Sequence, residues 1–387
     1  MRNCEDIQMK FYQSGDEGAK LLPVSIKEWE EKAKKTLAAG PFDYVNGGAG
    51  AGDTMRANLE AFQKYQLRPR ICRDVSKRDL TIKLFDQSIP VPIFLAPIGV
   101  NSILHPEAEL APAKAAAQLG VPYILSNVST KSMEEVAEAM GDALRWFQLY
   151  PPKDHDLTNS FLKRAEDAGY SAIVVTIDSI LLGWREKDLH NAYLPFLSGE
   201  GMGNYFSDPV FRSKLEEPPE KNVKAASRKV LDEGNNTAFT WKELEYICQQ
   251  TSLPVLLKGV THPDDALLAL EHGAAGIIVS NHGGRQLDGA VATLDVLPSI
   301  CEAIEQKIPV LLDSGVRRGA DVIKAMALGA SAVLIGRPYA YALGVAGETG
   351  VREVIENFIA ETELQLAISG RNSIKEVDRF LVTDAYR

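Results

Sequence analysis

Eight short apolar runs recur along the chain from about residue 91, and they constrain its fold more than any other feature. They read VPIFLAPIG (91–99), VPYILSN (121–127), LRWFQLY (144–150), SAIVVTID (171–178), LPVLLKG (253–259), AAGIIVSN (274–281), IPVLLDSG (308–315) and SAVLIGRP (331–338). Each is near-continuous in apolar residues, the pattern of parallel strands covered on both faces rather than of a sheet with one wet side. Between them lie amphipathic Ala-, Glu- and Lys-rich segments such as HPEAELAPAKAAAQLG (105–120), KSMEEVAEAMG (131–141), NSFLKRAEDAGY (159–170) and GADVIKAMALGA (319–330). Most close on a glycine, the usual residue just past a helix end. Strand–helix units repeated eight times predict an α/β fold, a (β/α)8 TIM barrel, with a doubly wound sheet as the alternative.

Two stretches fall outside the repeat. Residues 1–90 are read as an N-terminal cap packed on the barrel of residues 91–387, the whole forming a single domain of about 25–385. Within that cap, SIKEWEEKAKKTLA (25–38) is an amphipathic helix and YVNGGAGAGD (44–53) a glycine-rich turn. Residues 183–240 separate the fourth and fifth runs by far more than the usual two to six residues of such a loop. Their charge and the Pro-Pro pair at 218–219 suit a partly disordered surface insertion. Departure from the catalytic end of the barrel suits a lid.

Composition narrows the partners. The net charge of −10 disfavours non-specific nucleic-acid binding and anionic membrane surfaces, so any positive field must be local. No apolar run approaches the roughly 18 residues that span a bilayer. The opening MRNCEDIQMKFYQSGDEGAK reads as neither a signal nor a transit peptide. Cys4, Cys72, Cys248 and Cys301 are scattered without CxxC spacing, which predicts free thiols in a reducing, cytoplasmic compartment and no zinc site. His105, His155, His190, His262 and His272 have no metal-ligand spacing and are expected at the surface; no metal is expected.

Polar residues close all eight runs: Gly99; Ser126 and Asn127; Gln148 and Tyr150; Thr176 and Asp178; Lys258; His282; Asp313; Gly336 and Arg337. That end is the catalytic face of such barrels. Gly315 with Arg317, and Gly336 with Arg337, each lie where a strand turns into a helix, a suitable place for a phosphate dianion. Lys258 ends an apolar strand and needs an anion or an electron-rich partner, either a barrel carboxylate or a reduced flavin. In SNHGGRQLDG (280–289), two glycines clear space beside His282. There Arg285 can grip a carboxylate through two parallel hydrogen bonds while His282 reaches the neighbouring carbon or its hydroxyl. Asp178 is suited to orient the imidazole and stabilise its protonated form. Tyr44, Tyr150 and Arg185 have equally simple readings as packing aromatics and a loop charge. A barrel isomerase or aldolase acting on sugar phosphates, or a phosphate-binding protein without catalysis, would use some of the same turns.

SNHGGRQLDG, LLDSGVRRGADV and LIGRP together resemble the FMN-dependent α-hydroxy-acid oxidase and dehydrogenase family, and the resemblance runs from DYVNGGAG through APIG, LSN, FQLY, TID and LKG to the last strand. It implies FMN as cofactor and a small 2-hydroxy acid and O2 as partners. Position by position, it implies that Tyr44, Tyr150, Arg185 and Arg285 bind the substrate, His282 is the base and Asp178 its partner. Pro97, Ile98 and Gly99 match the segment near flavin N5; Ser126, Gln148, Thr176, Lys258 and Ser280 are further flavin contacts. Asp313, Ser314, Gly315, Arg317, Gly336 and Arg337 match the ribityl and phosphate site. Within the family, APIGV, LGWREKDL, NAYLPFL, NYFSDPVF, HPDDA, GASAV and GRPYA are most similar to lactate 2-monooxygenase. Gly99 carries that choice, because simple oxidases carry Ala there, whose methyl would point at flavin N5. The expected reaction is oxidation of an L-2-hydroxy acid, L-lactate favoured, with decarboxylation to acetate, CO2 and water. Release of 2-oxo acid and H2O2 is the alternative. The resemblance further implies a homo-tetramer or homo-octamer. LSNVST, TIDSILLGW and the composition of the long loop depart from the pattern and leave the size of the substrate open.

Overall fold

A computed structural model describes residues 3–14 and 22–385. Part of the N-terminal stretch read for targeting signals therefore lies outside the described residues. All eight apolar runs form strands: β1 (Ile93–Leu95), β2 (Tyr123–Ser126), β3 (Arg145–Leu149), β4 (Ile173–Thr176), β5 (Val255–Val260), β6 (Gly276–Val279), β7 (Val310–Leu312) and β8 (Ala332–Ile335). They pair in parallel and in chain order, and β8 returns to β1 through Leu334↔Phe94, so the sheet is a closed barrel. Closure removes every sheet edge and buries both strand faces, which is why the runs could be apolar throughout.

The predicted helices form between the strands. Leu110–Leu119 ends at Gly120, which adopts the left-handed φ of 65° expected of a glycine terminator. Met133–Met140 begins with a reciprocal Ser132–Glu135 capping box.

The N-terminal segment reaches both ends of the barrel. Helix Ile26–Thr36, capped by Ser25 and Glu28, buries Trp29 and Ala33 and packs on the long C-terminal helix Arg337–Ile368. Helices Ala39–Asn46 and Asp53–Gln63 then cross the mouth, where Asn58 and Asn281 exchange side-chain hydrogen bonds of 2.9 and 2.8 Å. The antiparallel pair Ile82–Leu84 and Gln87–Ile89 carries Phe85 to the opposite end, against Trp146 with ring centroids 5.8 Å apart.

Residues 183–240 are folded, with helices at Glu186–His190, Gly203–Phe206, Pro209–Ser213 and Val223–Gly234. Their anchor is Asn204, fully buried, whose Nδ2 donates to the Asn127 carbonyl (3.2 Å) and Ser129 Oγ (2.9 Å) while Oδ1 accepts from Met133 N (2.7 Å). A buried amide with all these partners holds the insertion firmly to the loop after β2. Among the described residues no helix is long and apolar enough to cross a membrane.

Candidate active site

The strand ends open into a cavity of about 220 Å³. Its walls include Tyr44, Pro97, Ile98, Gly99, Tyr150, Arg185, Lys258, His282, Arg285, Asp313, Ser314, Gly315, Arg317, Gly336 and Arg337, brought together from six strand ends, the N-terminal segment and the insertion. Ser126, Gln148, Thr176, Asp178 and Ser280 stand behind these walls.

The turn after β6 is the most constrained backbone in the site. His282, Gly283 and Gly284 all have left-handed φ, at 58°, 66° and 73°. A Cβ on Gly284 would lie 2.7 Å from Met55 N, so only glycine lets helix Asp53–Gln63 approach this closely. Three side chains hold the turn: Ser280 Oγ accepts from His282 N (3.1 Å), Asn281 Oδ1 from Gly284 N (3.1 Å) and Ser314 Oγ from Gly283 N (2.9 Å). A non-glycine residue in this conformation costs on the order of 1–3 kcal/mol and persists only when its surroundings over-determine it. The result aims the imidazole into the cavity.

His282 Nδ1 lies 2.8 Å from Asp178 Oδ1, and Nε2 faces the cavity 3.5 Å from the Tyr150 hydroxyl. Burial lowers the His282 pKa below its ordinary value, with Asp178 pulling the other way, so the ring is neutral at neutral pH and able to accept a proton. Burial opposes ionisation of Asp178, but His282 in its protonated form, the Lys258 charge and hydrogen bonds from His282 and Ser179 outweigh it and its pKa is lowered. The pair thus has the polarity of a base and its orienter.

Lys258 has the barrel carboxylate that one reading gave it. Its Nζ is 3.2 Å from Asp313 Oδ2 and donates to Ser280 Oγ at 2.9 Å, yet it also forms part of the cavity wall. Burial works against its charge, while Asp313 and Asp178 raise its pKa above the ordinary lysine value.

Arg285 and Arg337 bond backbone carbonyls rather than carboxylates. Arg285 lies over the Tyr44 ring, 4.9 Å from its centroid, and bonds the carbonyls of Tyr44 and Gly47. Arg337 donates to the carbonyls of Val45 (3.0 Å), Gly283 (2.9 Å) and Gly47 (2.8 Å). Removal from water, with Arg185 nearby, pushes the Arg285 pKa down to about 9; removal from water and Arg317 push Arg337 down to about 10. Guanidinium groups stay protonated in proteins, so these directions mark buried positive charge that an anion would stabilise. Arg185 is turned partly aside: Nη2 donates to Gln286 Oε1 at 2.9 Å, and Asp188 is 3.9 Å away.

The polar atoms behind the wall test the cofactor. Gln148 Nε2 and Thr176 Oγ1 are buried and have no partner in the protein, a costly state that a ligand with a polar edge would relieve. They sit on the neighbouring strands β3 and β4, and Thr176 is in register with Lys258 on β5. Ser126 is in register with Gln148 and donates to its Oε1 at 2.8 Å, so it orients the amide. The polar edge of an isoalloxazine suits these donors, and a phosphate suits the turns at Gly315–Arg317 and Gly336–Arg337. The residues fit FMN.

Gly99 behaves differently from the expectation built on it. A Cβ there would lie 2.6 Å from both the carbonyl oxygen and Cγ2 of Val128, so an added methyl strikes the loop after β2 rather than projecting freely into the cavity. Sequence reasoning also passed over Ser179, whose Oγ lies 3.0 Å from both Asp178 Oδ1 and His282 Nδ1, and Gln286, which holds Arg185. Each adjoins a residue already singled out, the one signal that could have found them. Val230, Leu231 and Gly234 of the insertion line the cavity too and carried no signal.

A closed barrel with two arginine-bearing phosphate turns, an oriented imidazole and an unsatisfied polar rim defines a flavin-binding oxidoreductase barrel. The family model for FMN-dependent dehydrogenases matches residues 33–384; the chain belongs to that family, and FMN is its cofactor. Among relatives, it is 45% identical to an L-lactate oxidase of Lysinibacillus sphaericus over 92% of this chain and 91% of that one. It is 40% identical to 2-hydroxyacid oxidase 1 of Homo sapiens over 94% and 97%. Among solved structures, a lactate oxidase of Pediococcus acidilactici superposes with a TM-score of 0.82 at 34% identity, covering 93% and 94% of the two chains.

Proposed function

We propose that this FMN-dependent oxidoreductase oxidises L-2-hydroxy acids, with L-lactate the favoured substrate and O2 the final acceptor. The observation that carries the reading is the His282–Asp178 pair at 2.8 Å, aimed into a cavity whose walls hold Arg285 and Tyr44. Arg285, Arg185, Tyr44 and Tyr150 hold the substrate carboxylate, and the lack of a carboxylate partner for Arg285 leaves its charge free for this. His282 takes a proton from the substrate through Nε2, and Asp178 stabilises the imidazolium that results. Bound FMN would supply a two-electron acceptor for the hydrogen leaving the α-carbon, with O2 as the final acceptor. Lys258 keeps a positive charge, set by Asp313, at the edge of the flavin site.

The finer reading is oxidative decarboxylation, in which lactate and O2 give acetate, CO2 and water because the 2-oxo acid and peroxide are kept together. Its supports are Gly99 and the insertion, whose Phe196, Met202 and Val230 line the cavity. Release of pyruvate and H2O2 is the second reading, favoured by the 45% identity to an L-lactate oxidase. The experiment is anaerobic mixing of the FMN-loaded enzyme with L-lactate, followed by counting acetate against pyruvate in air. Loss of the yellow absorbance without oxygen, with acetate dominant, is expected. Persistent colour refutes hydroxy-acid oxidation, and pyruvate with stoichiometric peroxide refutes decarboxylation. The same proposal includes a cytoplasmic location, supported by four unpaired cysteines. It also includes assembly as a homo-tetramer or homo-octamer, supported by the exposed Ile71 and Phe380 and checked by light scattering.

A further inference from the structure

The cavity has one wall that neither the cofactor nor the carboxylate explains. The insertion contributes Phe196, Met202, Val230, Leu231 and Gly234, with Tyr205 and the exposed Asn235 as polar neighbours at its border. The carboxylate of a 2-hydroxy acid belongs with the arginines and its hydroxyl with His282, so its remaining substituent must point toward this apolar wall. Phe196, Met202 and Val230 are buried and fill their places. Gly234 does not: a Cβ built on it meets no atom within 4 Å. Its φ is not in the left-handed range, so the backbone makes no demand for glycine there. It is the last residue of helix Val223–Gly234, followed by the cap Asn235. Leu182, about half exposed, continues the apolar surface to the rim of the same cavity.

We propose that the open space beside Gly234 admits 2-hydroxy acids with apolar chains longer than the methyl of lactate, and that a side chain at this position would exclude them. The inference rests on the proposed hydroxy-acid oxidation and refines its substrate class. An unbranched chain would run past Val230 and Leu231 and leave beside Leu182, burying methylene groups that lactate lacks. Each buried methylene adds to transition-state binding, and filling the space removes that gain.

The test compares kcat/KM of the FMN-loaded enzyme for L-lactate, L-2-hydroxyhexanoate and L-2-hydroxyoctanoate, in the native chain and in Gly234→Ala and Gly234→Leu. The native chain is expected to oxidise all three. Gly234→Leu is expected to lower the octanoate-to-lactate ratio of kcat/KM by roughly tenfold or more, and Gly234→Ala by less. Thermal-shift titration with 2-oxooctanoate and pyruvate gives a reading independent of turnover: the native chain binds the longer acid more tightly, and Gly234→Leu reverses the order. FMN absorbance of each purified variant shows that it is folded and loaded. If lactate is oxidised but the longer acids are not, or if Gly234→Leu leaves the ratio within twofold, the inference is overturned while the proposed function stands. If no 2-hydroxy acid is oxidised by the native chain, both fail.

Discussion

Asp178→Asn isolates the charge behind the proposed base while keeping its shape. The carboxylate is 2.8 Å from His282 Nδ1 and buried, and its Oδ2 has no partner in the protein. A hydrogen bond to a charged group contributes roughly 1.5–3 kcal/mol net. Opposite charges about 4 Å apart at an effective dielectric of about 20 attract by about 4 kcal/mol. The two figures describe overlapping effects, so the imidazolium formed during proton transfer should lose about 2–4 kcal/mol of stabilisation. With each 1.36 kcal/mol a factor of ten, flavin reduction should slow by roughly 30- to 1,000-fold. The pH profile gives a sign as well as a size. Burial already lowers the His282 pKa and Asp178 opposes that, so removing the carboxylate lowers it further. The neutral ring then survives to lower pH, and the acidic limb of the reduction rate moves down. Native stability changes in the same experiment: the lowered pKa of Asp178 contributes stability that is present above its unfolded value and lost as pH falls through the folded one. The variant lacks that loss. Anaerobic stopped-flow reduction by L-lactate across a pH series measures the rate and the limb together. A rate within threefold of the native enzyme, with the limb unmoved, would refute the base–orienter assignment.

Arg285→Lys should raise KM for L-lactate by roughly tenfold or more, because a point charge replaces a planar fork; unchanged KM and kcat would remove Arg285 from the carboxylate site. Lys258→Met strands Asp313 and Ser280 in a buried position and should lower stability by about 3–5 kcal/mol. Denaturation of the apoprotein, together with FMN titration, checks it, and undiminished stability with undiminished FMN affinity would defeat the pairing. Gly99→Ala must push Val128 away from a 2.6 Å contact, so its effect should come through the loop after β2 and shift product from acetate toward pyruvate plus peroxide. An unaltered product ratio would cut the link between Gly99 and decarboxylation.

The long-range couplings were the least legible part of the site. Nothing local in DYVNGG says that helix Ala39–Asn46 lies across the mouth, because its place depends on contacts hundreds of residues away, such as those of Arg285 with the carbonyls of Tyr44 and Gly47. Ser126 and Gln148 both end apolar runs, yet only their pairing in register on β2 and β3 lets Ser126 bond the amide oxygen and leaves Gln148 Nε2 free. Arg185 sits beside the catalytic strand ends in the sequence, but Gln286 and Asp188 decide where its guanidinium points.

Periodicity in the sequence was enough to determine eight parallel strands buried on both faces, because such a strand must be apolar throughout and the chain repeats that demand eight times; closure into a barrel rather than an open sheet was decided by the pairing of β8 with β1. The strand-end position of the polar residues follows from the same rule, since each run stops being apolar where the wall ends and the mouth begins. Only the tertiary structure decided where a missing side chain matters. Gly99 is closed in by Val128 and Gly234 opens on empty space, and that difference depends on which distant atoms pack around each backbone position.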